Sequence, residues 1–418
     1  MKITLKKYDN ATLVDGLALA KAIEDLGYEA YLVGGCVRDM VRHQIGQIPV
    51  LDIHDIDIAT SMPLKLLSKH FRTASNNGEK HGTILVFQND KPFEVTHFRT
   101  DGEYKDGRHP EKVTLTESFE EDTARRDFTI NALGLKWDGT VIDYHGGIDD
   151  IKNRIIRAVG VPYDRFQEDA LRIIRGNRFA ANFDYNVDSE TLHAMSACAP
   201  LIKHVSNERI RDEILKINDY SANLADFIQH LCWAGAWDHI PAFVGINQYE
   251  FMTFLESDDN HITRDNVIPL IAYFGYESNL KLLVPTREET KLYRWLKQYQ
   301  NAYNIEFPKD RYWTELVKFA SNDYELALEL DSDNKLPRAW VNQLPAARYI
   351  ALNADDVKKK VSATVKKMGI PQGKEYGNQL AILLEAEYAR MAAMFPTTIH
   401  VTQGNCDLVY HIETVKKL

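Results

Sequence analysis

With 418 residues, 44 % hydrophobic and 26 % charged, the chain holds material for roughly two to four packed units and has the composition of globular protein, not of fibrous or disordered chain. A formal net charge of −10 excludes a surface that is a nucleic-acid footprint throughout, because phosphate binding asks for clustered Lys and Arg. Any RNA contact has to be local.

The chain opens on MKITLKKYDNATLVDG, which lacks the apolar run of a signal peptide, and no later stretch approaches about 18 uninterrupted apolar residues. A cytoplasmic protein outside the membrane is expected. Residues 12–27 carry helical spacing, Tyr31–Val33 reads as an apolar strand, and alternation follows in DIDIA, TILVF and FEVTHF, which is mixed α/β writing. From Tyr163 onward apolar residues recur at three and four spacings, through LRIIRGNRFA, ERIRDEILKI, FIQHLCWAGAW and LAILLEAEYARMAAMF, so the remainder reads as helical. Breaks fall near Gly160–Pro162, near the polar run at 257–266 and around Glu306–Asp310. No fixed-period repeat or low-complexity segment is present. Cys36, Cys198, Cys232 and Cys406 lie far apart without CxxC or CxH spacing, which points away from zinc and disulfides and toward a reducing compartment.

Two features carry chemistry. In Tyr31-Leu-Val-Gly-Gly-Cys-Val-Arg-Asp39 a buried strand meets two glycines and then a helix. Paired glycines let backbone approach a ligand, and the helix start offers free N–H groups to phosphate, with Arg38 adding charge; the same pattern also serves as a plain tight turn. In Asp55-Ile-Asp57, residues i and i+2 of a strand share a face, so both carboxylates project together while Ile56 and Ile58 turn to the core. Such a pair repels itself unless a cation lies between, and hard oxygen ligands suit Mg²⁺; the alternative is a solvated edge-strand pair. Glu94 reads equally as a third carboxylate or as a surface glutamate.

Gly34-Gly35-Cys-Val-Arg38-Asp39 followed by Asp55-Ile-Asp57-Ile-Ala-Thr resembles the signature of the class II CCA-adding tRNA nucleotidyltransferases and related bacterial poly(A) polymerases. Four further stretches resemble the family's in order: Arg125-Arg126-Asp127-Phe128-Thr129-Ile130-Asn131-Ala132, Asp143-Tyr-His-Gly146-Gly147-Ile-Asp149, Glu168-Asp169-Ala-Leu-Arg172-Ile-Ile-Arg175-Gly-Asn-Arg178 and Ser206-Asn-Glu-Arg209-Ile-Arg211. The resemblance implies an α+β fold: a polymerase-β-like nucleotidyltransferase head (1–157), then an all-α neck for base recognition (158–220), body (221–305) and tRNA-binding tail (306–418). It implies template-independent addition of C, C and A to a tRNA 3′ end from CTP and ATP. The 3′-hydroxyl attacks the α-phosphate and pyrophosphate leaves, with Mg²⁺ held by Asp55 and Asp57. A partial CC- or A-adding enzyme, a poly(A) polymerase and a non-catalytic RNA-binding module are the alternatives.

The same resemblance assigns nucleotide contacts to Gly35 and Arg38 and to six residues further on. Arg126 would meet triphosphate oxygens, and Asp127 would accept from a ribose 2′-hydroxyl. Asp169 and Arg172, three apart on one helix face, would pair with cytosine or adenine, while Arg175 and Arg178 continue that ridge toward phosphate. Arg99–Pro110 reads as a surface loop able to swing during the reaction or as a plain connection. Lys358, Lys359, Lys360, Lys366 and Lys367 offer a patch for RNA backbone or a solvated helix face. Residues 44–51 read as an insertion relative to the family, hence an extended loop.

Overall fold

The computed structural model describes residues 1–53, 55–74, 82–102, 113–255, 262–303, 354–369, 374–393, 398–403 and 406–411. The segment around Gly78–Lys80, the tip of the 99–110 loop, Trp313, the 306–310 break and the Pro371–Gly373 turn lie outside them. The chain separates into two compact units, Met1–Val244 and Gly245–Leu418, a coarser division than the four parts expected from sequence.

In the first unit seven strands form one mixed sheet: β1 (Ala30–Val33), β2 (Asp57–Thr60), β3 (Thr73–Ala74), β4 (Thr83–Gln88), β5 (Lys91–His97), β8 (Leu133–Leu135) and β9 (Val141–Asp143), in the order β3-β4-β5-β2-β1-β8-β9. Between them β6 (Arg99–Asp101) and β7 (Val113–Leu115) pair as a separate antiparallel ribbon. Residues 99–101, which open the 99–110 segment, are therefore strand, paired by backbone hydrogen bonds with Val113–Leu115 beyond it. All four residues of β1 are buried, as expected of a central strand. One side of the sheet packs Tyr31, Val33, Ala59, Phe98 and Phe119 together, with the Tyr31 and Phe119 rings stacked at 4.2 Å.

Helices α1 (Ala11–Asp25), α2 (Gly35–Gln44), α3 (Leu64–His70), α4 (Phe119–Ala124) and α5 (Gly147–Asn153) accompany these strands, followed by α6 (Pro162–Glu168), α7 (Leu171–Phe183), α8 (Ser189–Cys198), α9 (Asn207–Ile214) and α10 (Tyr220–Trp233). Residues 45–53 have no regular structure, but Gln47 ties the loop down: its amide donates to Ile151 O at 2.7 Å and its carbonyl oxygen accepts from the Tyr185 hydroxyl.

The Asp143–Asp149 stretch is a docking device. The Asp143 carboxylate accepts from Gly147 N and Ile148 N, each at 2.9 Å, and so caps α5. Asp150 then accepts from Thr129 Oγ1 at 2.7 Å, fastening the Arg125–Ala132 segment. The approach is so close that a Cβ on Gly147 would stand 2.2 Å from Thr129 O. Backbone cannot give way as a side chain can, so Gly147→Ala is expected to destabilise the first unit by about 1–3 kcal/mol, read as a lowered melting midpoint in denaturant.

The second unit contains α11 (Gln248–Leu255), α12 (Val267–Phe274), α13 (Glu277–Leu282), α14 (Arg287–Tyr303), α15 (Ala354–Lys367) and α16 (Lys374–Ala393). Val357, Val361 and Val365 line the buried side of α15 against Tyr388, Leu380 and Leu384 of α16. Two β features interrupt the helical reading. Ile155–Ile156 (β10) pairs in parallel with Asn186–Val187 (β11), and Thr398–Gln403 (β12) pairs antiparallel with Cys406–His411 (β13). The second was signalled by the alternation in TIHVT and DLVYH. Among the described residues no helix is long and apolar enough to cross a membrane.

Candidate active site

Strand register decides which side chains meet. Val33 ends β1 opposite Asp57, and Asp57 lies opposite Glu94 of the parallel neighbour β5. The chain leaves β1 through Gly34 at φ 80°, ψ −148°, a backbone open to glycine and strained for other residues, and enters α2 at Gly35. A Cβ on Gly34 would stand 3.6 Å from Asp57 Oδ2. The free N–H groups of the helix start therefore lie beside the acidic strand ends.

These elements open into a cavity of about 820 Å³, and the structure brings Gly35, Arg38, Asp57, Arg126, Asp127, Asp169, Arg172 and Arg175 to its wall. Glu94, an exposed residue, lines the cavity as well. Asp55 does not line it and precedes the strand, which begins at Asp57; burial nonetheless alternates from exposed Asp55 through buried Ile56 to exposed Asp57 and buried Ile58. Desolvation raises the Asp57 pKa, and the charges of Glu94 and Asp55 raise it further against the pull of Arg126. Among the described residues no three His, Cys, Asp or Glu side chains surround a metal-sized point; magnesium, which keeps waters and substrate phosphates as ligands, does not require such a cage. Burial pushes the Cys36 thiol up to about 12, so it supplies no thiolate here.

Opposite the acids lies a lattice of guanidinium–carboxylate contacts. Arg126 donates through Nη1 to Asn131 O and through Nη2 to Asp122 Oδ2, both at 3.2 Å, and its buried Nε has no hydrogen-bond partner among the described residues. Asp127 accepts from Phe128 N at 2.8 Å, Asn131 Nδ2 at 3.3 Å and Arg175 Nε at 2.9 Å, with Arg175 Nη2 at 2.8 Å. These contacts take up about all four acceptor positions of a carboxylate. Arg175 continues to Glu213, which also holds Arg178 Nε at 2.8 Å. Arg38, whose sequence reading was a phosphate contact, is 9 % exposed and already donates to Asn131 Oδ1 at 2.8 Å and to Asp39.

Burial pushes the carboxyls of Asp122, Asp127 and Glu213 up, but their arginine partners hold all three below the ordinary range. Their stability contribution is present above the unfolded pKa near 4 and is lost as pH falls through the folded values. His145 and His230, lowered mainly by burial, give a shallower loss as pH drops below about 6.5. The melting temperature is expected to decline gently from pH 7 and most steeply below about pH 4; a flat profile through pH 3.5 contradicts the network.

Two sequence expectations need correction. Asp169 and Arg172 do not share a continuous helix: Asp169 is extended (φ −155°, ψ 101°) between α6 and α7. Its carboxylate caps Leu171 N at 3.1 Å and accepts two bonds from Arg209, at 3.1 and 2.7 Å, and this pull breaks the helix. Arg172 donates to Glu168, Arg165 O and Arg125 O, leaving about two of its five N–H groups. Arg178 turns away from the cavity, stacking on Phe179 at 4.3 Å and bordering a smaller space of about 440 Å³ under the 48–52 loop. Lys358, Lys359, Lys360, Lys366 and Lys367 are exposed on α15 in the second unit. Asp122, Asn131 and Arg209 were missed as site residues; the i, i+3, i+4 spacing of Asp122, Arg125 and Arg126 was the available signal.

The sheet, with its glycine turn beside paired strand-end carboxylates, is a nucleotidyltransferase head. The family model described as Poly A polymerase head domain matches residues 30–157, and one described as Probable RNA and SrmB-binding site of polymerase A matches residues 184–243. A CCA-adding enzyme of Streptococcus uberis is 32 % identical over 399 residues, 94 % of this chain and 82 % of that protein. The chain belongs to the CCA-adding enzyme family. A CCA-adding enzyme of Limosilactobacillus reuteri is 46 % identical over 209 residues, 49 % of this chain and 50 % of the relative; there the match spans about half of the relative's length. The crystal structure of the Bacillus stearothermophilus CCA-adding enzyme in complex with CTP shares the fold, with a TM-score of 0.54, 24 % identity and coverage of 91 % of this chain and 97 % of that one.

Proposed function

We propose that the protein adds C, C and A to the 3′ end of tRNA from CTP and ATP, the RNA 3′-hydroxyl attacking the α-phosphate with release of pyrophosphate. The observation that carries this reading is a single cavity that sets strand-end carboxylates and a glycine turn against Arg126, Asp127, Asp169 and Arg172. Nucleotidyltransferases of this superfamily generally use divalent metals. Asp55 and Asp57 would hold Mg²⁺, with Glu94 beside Asp57; desolvation first, and then the charges of Glu94 and Asp55, raise the Asp57 pKa, and a cation would relieve that repulsion. Bound there, the ion lowers the pKa of the attacking hydroxyl and neutralises triphosphate charge.

The protein's own groups do the rest. The N–H groups after Gly34 and the Arg126 guanidinium receive phosphate oxygens. Asp127 accepts the ribose 2′-hydroxyl in exchange for its longest bond, the 3.3 Å one from Asn131. Asp169 keeps one acceptor position on Oδ2 for the exocyclic amine of cytosine or adenine, and Arg172 donates to the adjacent ring nitrogen; uracil and guanine offer the reverse pattern. In this division residues 1–157 act as head, 158–220 as base-reading neck, 221–305 as body and 306–418 as tail, with the α15 lysines meeting tRNA backbone.

The test incubates the protein with Mg²⁺, each labelled NTP and tRNA transcripts lacking one, two or three 3′ nucleotides. Completion of CCA on all three is expected. Products that stop at CC or begin only after CC identify a partial enzyme, runs of A a poly(A) polymerase, and no product rejects catalysis.

A further inference from the structure

Asp122 accepts as many contacts as Asp127 at the cavity, four each, yet nothing in the chemistry above employs it. It lies in the last turn of α4, is 1 % exposed and faces the same cavity. Its Oδ1 accepts from Arg125 Nε and Nη2 at 3.1 and 2.8 Å and from the backbone N of Arg99 at 3.2 Å, while Oδ2 accepts from Arg126 Nη2 at 3.2 Å. Adjacent guanidiniums repel and, left alone, spread into solvent; here one buried anion draws both inward.

Two extensions make this more than a local ion pair. Arg125 Nε also donates to Arg99 O at 3.2 Å, so the foot of the β6–β7 ribbon is bound to the same centre. The carbonyl of Arg125 accepts from Arg172 Nη2 at 3.1 Å, which links the centre to the cation assigned to base reading. Arg126 itself has only two hydrogen-bonded anchors among the described residues, Asn131 O and Asp122. Removing the Asp122 charge leaves its guanidinium held at one end.

We propose that Asp122 is the positioning residue of the phosphate-binding wall: it aims Arg126 at the nucleotide triphosphate and ties that wall to the β6–β7 ribbon through Arg125 and Arg99. This rests on the nucleotide-site reading above. Asp122→Asn preserves shape and an acceptor for Arg99 N but removes the charge and turns an amide toward a guanidinium.

The experiment measures binding to the full chain, without RNA, of CTP with Mg²⁺, inorganic tripolyphosphate and cytidine, then KM and kcat for CTP and for tRNA. In Asp122→Asn, CTP and tripolyphosphate are expected to weaken on the order of tenfold, with cytidine affinity and KM for tRNA close to wild type and a lowered melting temperature, because the buried charge also contributes to stability. In an Arg126→Gln background the same substitution should add less than about threefold, because its effect runs through Arg126. Asp122→Glu, which keeps the charge, should recover part of the tripolyphosphate affinity and serves as the test variant if the asparagine protein does not fold. The inference is overturned by unchanged tripolyphosphate binding in a folded Asp122→Asn, by equal losses for cytidine and tRNA, by full additivity with Arg126→Gln, or by no recovery in a folded Asp122→Glu. A wild-type protein that binds neither CTP nor tripolyphosphate rejects the nucleotide site itself.

Discussion

Asp57→Ala is expected to lower nucleotide transfer by at least about 10³-fold, the scale on which loss of a metal-held nucleophile activation acts, while the protein stays folded. The separation of activity from stability follows from position. Asp57 begins β2 and is exposed, whereas the residues that hold the strand, Ile58, Ala59 and Thr60, are buried, and the ladder to β1 and β5 is made by backbone groups that alanine retains. Desolvation raises the Asp57 pKa and the charges of Glu94 and Asp55 add to it, so deleting one charge of that cluster relieves repulsion. The melting temperature should stay level or rise slightly. Primer extension alongside thermal melting checks both; substantial turnover in the variant removes Asp57 from the metal site, and unfolding removes the claim that it carries no core.

Asp169→Ala is expected to reduce the preference for CTP over UTP and for ATP over GTP by about 10- to 100-fold, the range set by one good base-edge contact worth roughly 1–3 kcal/mol. Transfer of CTP itself should fall less than the discrimination does, because phosphate and metal groups remain. Arg209, which gives Asp169 two hydrogen bonds, loses its partner in this variant. Arg209→Ala serves as control: it leaves the carboxylate in place but unsteered, and should reduce discrimination by a smaller factor. The ratio of kcat/KM values across the four nucleotides is the measurement, and an unchanged ratio in Asp169→Ala ends the base-reading assignment.

How much of the site was legible depends on the range of the interactions involved. Gly34-Gly35 before a helix and the Asp55-Ile-Asp57 alternation are local patterns, and the structure has a glycine at positive φ opening α2 and alternating burial across 55–58. Glu94 stayed ambiguous because its meaning comes from pairing with Asp57 across strands far apart in sequence, and a parallel register leaves no mark on either segment alone. Asp169 was misplaced for a related reason. Helical spacing is continuous through 168–178, but an ion pair from Arg209, on a helix forty residues later, holds Asp169 extended. Arg178 looked like one more cation on a ridge until Glu213 and Phe179 turned it inward.

By itself the amino-acid sequence determined the order of a mixed head and a helical remainder, the glycine turn, the alternating acidic strand and the RRDFTINA segment. Each depends on side-chain period or backbone freedom within a few residues, which one chain displays directly. Only the tertiary structure decided that Glu94 joins Asp57, that Asp127 is saturated by Arg175 and Asn131, that Arg38 and Arg178 are buried in ion pairs, and that Asp122 gathers Arg125, Arg126 and Arg99. Charges separated by tens of residues acquire partners when the packed core excludes water and brings them within a few ångströms, so which arginine binds a ligand and which supports another residue is a property of the fold.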